Sequence, residues 1–283
     1  GRGIASMGLT EYDQAVQYFT EALELSDGWV QNVDYDMNYY LAAAYRKNGQ
    51  PAEAKKVYDA ILGLKPEEKD AYFLRGSAEL ELGDYESAKA DFDKAISMDP
   101  KNYDRLIEIY EALADYGYRE VGQEYLQNVL NTDKKLDAYD SGRIYYYLGD
   151  YQKAYLALEE AKGKGGVDSY LYLGKAYAAT GDYNYASSVY SNYLSKQGPD
   201  AEIYNQLGLC ELAKKDYQKA LEAFQAGKQI EGNSLMQTLS FNEIVAYEYL
   251  QDYQKAAVLL KAYLQNYPDD QTAIREQQFL STR

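Results

Sequence analysis

The chain has 283 residues, 46% of them hydrophobic, and a net charge of −16 from 29 Lys and Arg against 45 Asp and Glu. An acidic field of that size, with no basic block to offset it, argues against nucleic acid and against direct insertion into or adhesion to an anionic membrane, and no apolar run reaches the roughly 18–20 residues of a membrane span. With no histidine and one cysteine, Ser-His-Asp and Cys-His chemistry and most zinc sites are unavailable, so no catalytic residue, no metal site and no cofactor are expected.

In chain order, a short motif recurs from near the start to near the end. Its copies are Glu11-Tyr12-Asp13-Gln14-Ala15, Gln50-Pro51-Ala52-Glu53-Ala54, Gly83-Asp84-Tyr85-Glu86-Ser87-Ala88, a degenerate Gly117-Tyr118-Arg119 leading to Gly122, Gly149-Asp150-Tyr151-Gln152-Lys153-Ala154, Gly181-Asp182-Tyr183-Asn184-Tyr185-Ala186, Lys215-Asp216-Tyr217 leading to Ala220, and Gln251-Asp252-Tyr253 leading to Ala256. Its small residue falls at 15, 54, 88, 122, 154, 186, 220 and 256, at spacings of 32 to 39. A period of that size signals a repeat architecture.

The motif has a mechanical meaning. Gly closes one helix in the left-handed conformation, and the following Asp caps the next through its side-chain oxygen. Pro51 stands at a first helical position, where its missing N–H is harmless. The small residue allows close crossing of two helices, and the Tyr three positions earlier fills the space beside it. Helical periodicity runs on both sides of each turn, as in Tyr72, Gly76 and Glu79 before one and Ala88, Phe92 and Ala95 after it, with Pro100 stopping the second helix. Each copy is thus a helix-turn-helix hairpin.

These residues resemble the tetratricopeptide repeat family, whose pattern runs aromatic, Leu-Gly, aromatic, Tyr-x-x-Ala, aromatic, Ala and a closing Pro. Segment 71–100 follows most of it, with Arg75 in place of Leu and Glu79 in place of an aromatic. Gly122, Arg119 and Gly227 are further departures. The resemblance implies an all-α fold, a right-handed superhelical solenoid of antiparallel helix pairs, as one array over 1–283. The expected units are 1–30 (a truncated first repeat), 35–68, 69–102, 103–134, 135–166, 167–200, 201–234 and 237–269, with a capping helix in 270–283. Gly3 already occupies the mid-helix glycine position, so part of the first helix is expected to precede Gly1, as removal of a signal or anchor segment would leave it. Five extra residues spread over 26–36 hold Trp29, which is expected to pack over an inter-repeat seam. Lys162-Gly163-Lys164-Gly165-Gly166 lacks the spacing of a phosphate loop and is expected to be a flexible linker.

In this family the first helix of each pair lines the concave face. Spacing of i, i+4 and i+7 then places Tyr39, Ala43 and Arg46; Phe73, Ser77 and Leu80; Ile107, Glu111 and Ala114; Tyr139, Arg143 and Tyr146; Leu171, Lys175 and Ala178; Asn205, Leu209 and Leu212; and Phe241, Val245 and Glu248 on the wall. Tyr39, Arg46, Phe73, Tyr139, Arg143, Tyr146, Lys175 and Asn205 are the candidate ligand contacts. The group Tyr139, Arg143, Tyr146 and Lys175 suits a partner carboxylate or acidic segment, Arg by two parallel hydrogen bonds and the rings by stacking. The same cations can instead pair with Asp140, Glu111 or Asp168, and most of the 34 tyrosines fall at hairpin packing positions. Cys210, beside Leu209 and Leu212, is expected to pack as a small hydrophobe. Members of the family that grip acidic chaperone tails use Lys and Asn on successive inner faces. Here Tyr39, Ala43, Phe73 and Ser77 stand at those positions, so that clamp is absent.

The expected function is a protein- or peptide-binding scaffold without catalysis. Two other classes fit the same residues: the recognition arm of a larger enzyme or receptor, and a self-assembling structural protein. The acidity, the tyrosine content and the near-absence of cysteine suit a bacterial extracytoplasmic protein, lipid-anchored or secreted, ahead of a bacterial cytoplasmic one.

Overall fold

The computed structural model describes residues 1–25 and 32–283. Trp29, expected over an inter-repeat seam, lies outside the described residues. The described residues form seventeen α-helices and no strand, arranged in two compact units, Gly1–Thr132 and Asp133–Arg283.

The first unit holds four antiparallel pairs: α1 (Arg2–Gly8) with α2 (Tyr12–Glu24), α3 (Asn32–Lys47) with α4 (Pro51–Leu64), α5 (Lys69–Glu81) with α6 (Tyr85–Met98), and α7 (Tyr103–Asp115) with α8 (Arg119–Thr132). The second unit holds α9 (Ala138–Tyr147) with α10 (Tyr151–Glu160), α11 (Gly166–Ala179) with α12 (Tyr183–Gln197), α13 (Ala201–Ala213) with α14 (Tyr217–Lys228), and α15 (Met236–Tyr249) with α16 (Tyr253–Asn266), followed by α17 (Gln271–Leu280). Within each unit every pair also packs on the next, so no hairpin buries its apolar face alone.

The recurrent motif does what its residue types demand. Asp84, Asp150, Asp182, Asp216 and Asp252 each accept a hydrogen bond from the backbone N–H three residues on, at 3.0–3.3 Å, a cap worth about 1 kcal/mol. The backbone N–H of each also closes the preceding helix, bonding the carbonyl of Glu79, Tyr145, Tyr177, Glu211 or Tyr247 at 2.8–3.0 Å. This closure needs a residue at positive φ, supplied by Gly83, Gly149 and Gly181 but by Lys215 (φ 64) and Gln251 (φ 63) in the two copies without glycine. Those two bear a left-handed conformation that glycine adopts without steric cost.

Close crossing is the other constraint. A Cβ on Gly174 would lie 2.2 Å from Tyr190 Cζ, and the Phe92 and Phe224 rings likewise crowd Gly76 and Gly208. Phe19 lies in the same way against Gly3, in the first turn of α1. The departures are absorbed locally. Gly122 faces the Tyr110 ring, and Arg119 Nη1 donates to the Tyr110 hydroxyl at 2.9 Å. The segment expected as a flexible linker is a packed turn instead. The Tyr139 ring covers Gly165, Gly163 N–H donates to Ser169 Oγ at 3.2 Å, and Gly166 already belongs to α11.

Between adjacent pairs, the residue just after one small Ala meets the residue nine positions before the next. In the second unit this slot holds Tyr155 stacked on Tyr177, ring centroids 4.6 Å apart, and Leu221 packed with Tyr247. In the first unit it holds Lys55 and Glu79, with Nζ 3.6 Å from Oε1. Arg75 joins them: its Nε and Nη2 donate to Asp91 at 2.6 and 2.8 Å and its Nη1 to Asp59 at 2.7 Å. The two departures at 75 and 79 are therefore one charge network in place of Leu and an aromatic. Glu79 is 3% exposed, and its second carboxyl oxygen has no hydrogen-bond partner. Burial, then the nearby Asp91 charge, lifts its pKa to about 7 against the pull of Lys55 and Arg75.

Lys215→Gly and Gln251→Gly are each expected to raise the stability of the chain by about 0.5–1 kcal/mol in chemical denaturation. For Glu79, the folded state holds its proton more tightly than the unfolded chain does. Its contribution is complete below the ordinary carboxylate value and is lost as pH rises to about 7, a change of about 3 kcal/mol. Urea melts between pH 5 and 8 should show this decline, and Glu79→Gln should make it shallower.

Candidate functional site

In the first unit, α3, α5 and α7 bring the expected wall residues together and also satisfy them. Arg46 Nε donates to Glu81 Oε1 at 2.8 Å. The Phe73 ring lies under Arg105 at 4.0 Å, while Arg105 pairs with Asp70 at 2.7 Å and Glu108 at 3.0 Å. Tyr39 is half-buried against Tyr58, and its hydroxyl is sealed without a hydrogen-bond partner. Ser77, Leu80 and Ile107 are buried. On this stretch of the expected wall Arg46 and Phe73 are taken up by partners within the fold, while Glu111 stays exposed.

The second unit is different. Its first helices lie side by side, α9 against α11 and α11 against α13, and α13 is tied to α15 by a hydrogen bond from Asn242 Nδ2 to Asn205 Oδ1 at 2.9 Å. Four partly buried tyrosines gather where α9 meets α11. Tyr146 packs edge-on to Tyr147 and Tyr172 with centroids 5.5 Å away in each case. The hydroxyls of Tyr147 and Tyr172 are hydrogen-bonded at 3.0 Å. Tyr139 completes the group, its ring 4.9 Å from the Arg143 guanidinium, which also stands 5.6 Å from the Tyr172 ring. Burial, then the neighbouring Tyr151 and Tyr172, pushes the Tyr146 hydroxyl pKa up, so this hydroxyl stays neutral and the cluster presents ring faces.

The expected cations are placed and partnered. Arg143 is 7% exposed and lies 3.4 Å from Asp140, one of the pairings open at the sequence level. Lys175 lies 3.5 Å from Glu202, a partner that sequence spacing did not indicate; both side chains keep about a third of their surface. Asn205 is buried. Tyr147, Tyr172, Glu202 and Asn242 are the participants missed in the sequence. Three of them follow a predicted wall residue by one position: Tyr146, Leu171 and Phe241. Leu171 is 8% exposed whereas Tyr172 stays half-exposed, so on α11 the outward stripe is turned by one residue, roughly 100°, from the expected one.

Cys210 is buried, and burial raises its thiol pKa to about 12, as a packing residue requires. No group of three or more His, Cys, Asp or Glu among the described residues is arranged to hold a metal ion, and no described helix is long and apolar enough to cross a membrane. A recess of about 220 Å³ between α14, α15 and α16 is lined by Met236, Leu259, Tyr263 and Tyr267. Its cation, Lys228, is paired with Glu243 at 2.6 Å.

Arg143 sits under aromatic rings with little exposed charge, so its packing should outweigh its pairing. Arg143→Met is expected to cost less than about 1 kcal/mol and Arg143→Ala about 2–3 kcal/mol in thermal or chemical unfolding.

The sequence pattern of the tetratricopeptide repeat matches residues 1–54, 39–103 and 171–234, more than half of the chain, and a second pattern of the same description matches 241–270. A tetratricopeptide repeat protein of Parabacteroides merdae superposes with a TM-score of 0.54 at 15% identity, covering 87% of this chain and 96% of that one. An FK506-binding protein-like protein of Mus musculus is 42% identical over 62 residues, 22% of this chain and 18% of its own length. The Hsp70-Hsp90 organizing protein of Triticum aestivum is 30% identical over 102 residues, 36% of this chain and 16% of its own length. The chain thus spans less than a fifth of either curated relative, and the likeness to the bacterial structure is one of fold. Hairpins that close on Gly-Asp, cross at Gly and Ala, and stack pair on pair carry that pattern, and the chain belongs to the tetratricopeptide repeat family.

Proposed function

We propose that the chain is a protein- or peptide-binding scaffold whose contact surface is the first-helix face of the second unit. The observation that carries this is the cluster of Tyr139, Tyr146, Tyr147 and Tyr172: four rings, each partly exposed, held against one another on helices already packed together. Tyrosine supplies large contact area with few rotatable bonds, and a cluster rigid before binding loses little entropy on contact. Arg143 is the buried support of this platform. Lys175 is the cation that meets a partner's acidic side chain, exchanging it for Glu202 across a 3.5 Å gap. No catalytic role is assigned to any residue.

Family membership supports an interaction role. So does the wheat relative, which is named for organizing Hsp70 and Hsp90, although the Lys and Asn of the tail-gripping members are Tyr39, Ala43, Phe73 and Ser77 here. Charge favours the same unit. Residues 1–132 carry 13 Lys and Arg against 25 Asp and Glu, and residues 133–283 carry 16 against 20, so an acidic segment meets far less repulsion in the second unit.

A photo-crosslinking residue at position 146 should capture a partner that the same residue at Leu156, exposed on α10, does not. With that partner, Lys175→Glu should weaken binding about tenfold while leaving the melting temperature near that of the parent, and Tyr146→Ala should weaken binding about tenfold while also lowering the melting temperature through lost ring packing. Equal capture from both positions would dismiss this face as the binding surface.

A further inference from the structure

In three copies of the repeat a tyrosine stands 16 positions before the small Ala: Tyr72, Tyr170 and Tyr204 precede Ala88, Ala186 and Ala220 in this way. The last copy has Ser240 there, 16 positions before Ala256. Two of those tyrosines fill the space beside the residue 7 positions after the Ala. Tyr170 packs edge-on to Tyr193 with centroids 5.1 Å apart, and a Cβ on Gly227 would lie 3.2 Å from Tyr204 Cβ. In the last copy the corresponding residue is Tyr263, and Ser240 offers it no ring. The recess of about 220 Å³ between α14, α15 and α16 opens at this place, with Ser240 and Tyr263 both in its lining.

The walls of the recess are held from elsewhere, so they do not close over the gap. Tyr263 donates its hydroxyl to Asp270 at 2.6 Å, and its ring meets those of Phe241 and Tyr267 at 5.7 and 4.8 Å. Glu243 accepts from Lys228 at 2.6 Å and, on its other oxygen, from Gln225 at 2.9 Å. Met236 and Leu259 give the lining an apolar surface. A deleted ring whose surroundings stay in place leaves room for a ring, and an apolar cavity of about 150 Å³ takes up benzene. At about 220 Å³ the recess is smaller than the roughly 300–1,000 Å³ of small-molecule pockets, and it suits one ring of a larger ligand. A second recess of about 400 Å³ shares Lys228 and Glu243 with it and adds Gln225 and Gln229. Side-chain amides and an ion pair match the N–H and C=O groups of a peptide backbone.

We propose that this recess receives a tyrosine side chain of a partner peptide. The ring takes the place left by Ser240, and the peptide backbone runs over the adjoining polar recess. The incoming ring gives Tyr263 the contact that Tyr170 gives Tyr193, and the Met236 thioether adds a sulfur–ring contact. The chain carries a net charge of −16, and an uncharged phenol approaches it without the repulsion that an acidic side chain meets. None of these residues belongs to the tyrosine cluster of α9 and α11, so the two surfaces stand or fall separately.

The test uses the full chain with its methionine methyl groups labelled with carbon-13, and reads the NMR signal of Met236, identified by its loss in Met236→Leu. The probes are a capped Gly-Gly-Tyr-Gly-Gly peptide, the same peptide with Ala in place of Tyr, and p-cresol. The tyrosine peptide should move the Met236 signal saturably, with half-saturation below about 10 mM and about tenfold below that of p-cresol. The alanine peptide should give no saturable shift in that range. Ser240→Tyr fills the recess from within, and Ala262→Phe, at an exposed position of the lining, covers its mouth. Each should weaken the tyrosine peptide about tenfold or more, whereas Ser240→Ala should leave it within about twofold. A Met236 signal unmoved by the tyrosine peptide up to about 10 mM would overturn the proposal. So would an equal response to the alanine peptide, or parental binding by both filled variants. p-Cresol binding as tightly as the peptide would overturn the peptide as occupant.

Discussion

Everything in this molecule depends on how closely the two helices of a hairpin can approach. Where Gly3, Gly76, Gly174 and Gly208 stand, a ring from the partner helix occupies the space in which a Cβ would have been. The second helix answers with Ala15, Ala88, Ala186 and Ala220, all fully buried. That contact sets the separation within a pair, and the separation decides which residues of neighbouring pairs can meet. Close packing leaves little tolerance, since one added methylene in such a site is felt as strain.

With the geometry so fixed, the slot between adjacent pairs can be filled in chemically different ways. Tyr155 and Tyr177 fill it with stacked rings, Leu221 and Tyr247 with mixed apolar packing, and Lys55 and Glu79 with an ion pair. The apolar solutions are indifferent to pH. The ionic one buries a carboxylate whose hydrogen bonding is incomplete, and the Arg75–Asp91 pair beside it offsets only part of that cost. Glu248 in the second unit also has an oxygen without a hydrogen-bond partner. The repeats therefore share a backbone but not a response to protons.

Aromatic residues serve two ends in the same way. Tyr190 and Tyr58 are interior and lock pairs together. Tyr146, Tyr147 and Tyr172 keep part of their rings outside and are held by one another, with Tyr146 and Tyr172 also packed against the core. The abundance of tyrosine thus follows from repetition of a packing position, and the second unit extends that same residue type onto its surface.

By itself the sequence determined the hairpins, their register and the caps, because Gly, Asp and Ala act through backbone conformation and contact distance, which are local. It also identified Glu79, Arg75, Arg119 and Gly122 as departures. Only the tertiary structure decided how those departures are compensated, since Asp59 and Asp91 lie 16 residues away on either side of Arg75. It likewise decided which face residues remain outward. Periodicity along one helix cannot show how far neighbouring helices roll over it, so Arg143, Asn205 and Leu171 were turned inward while Tyr172 and Asn242 came into play.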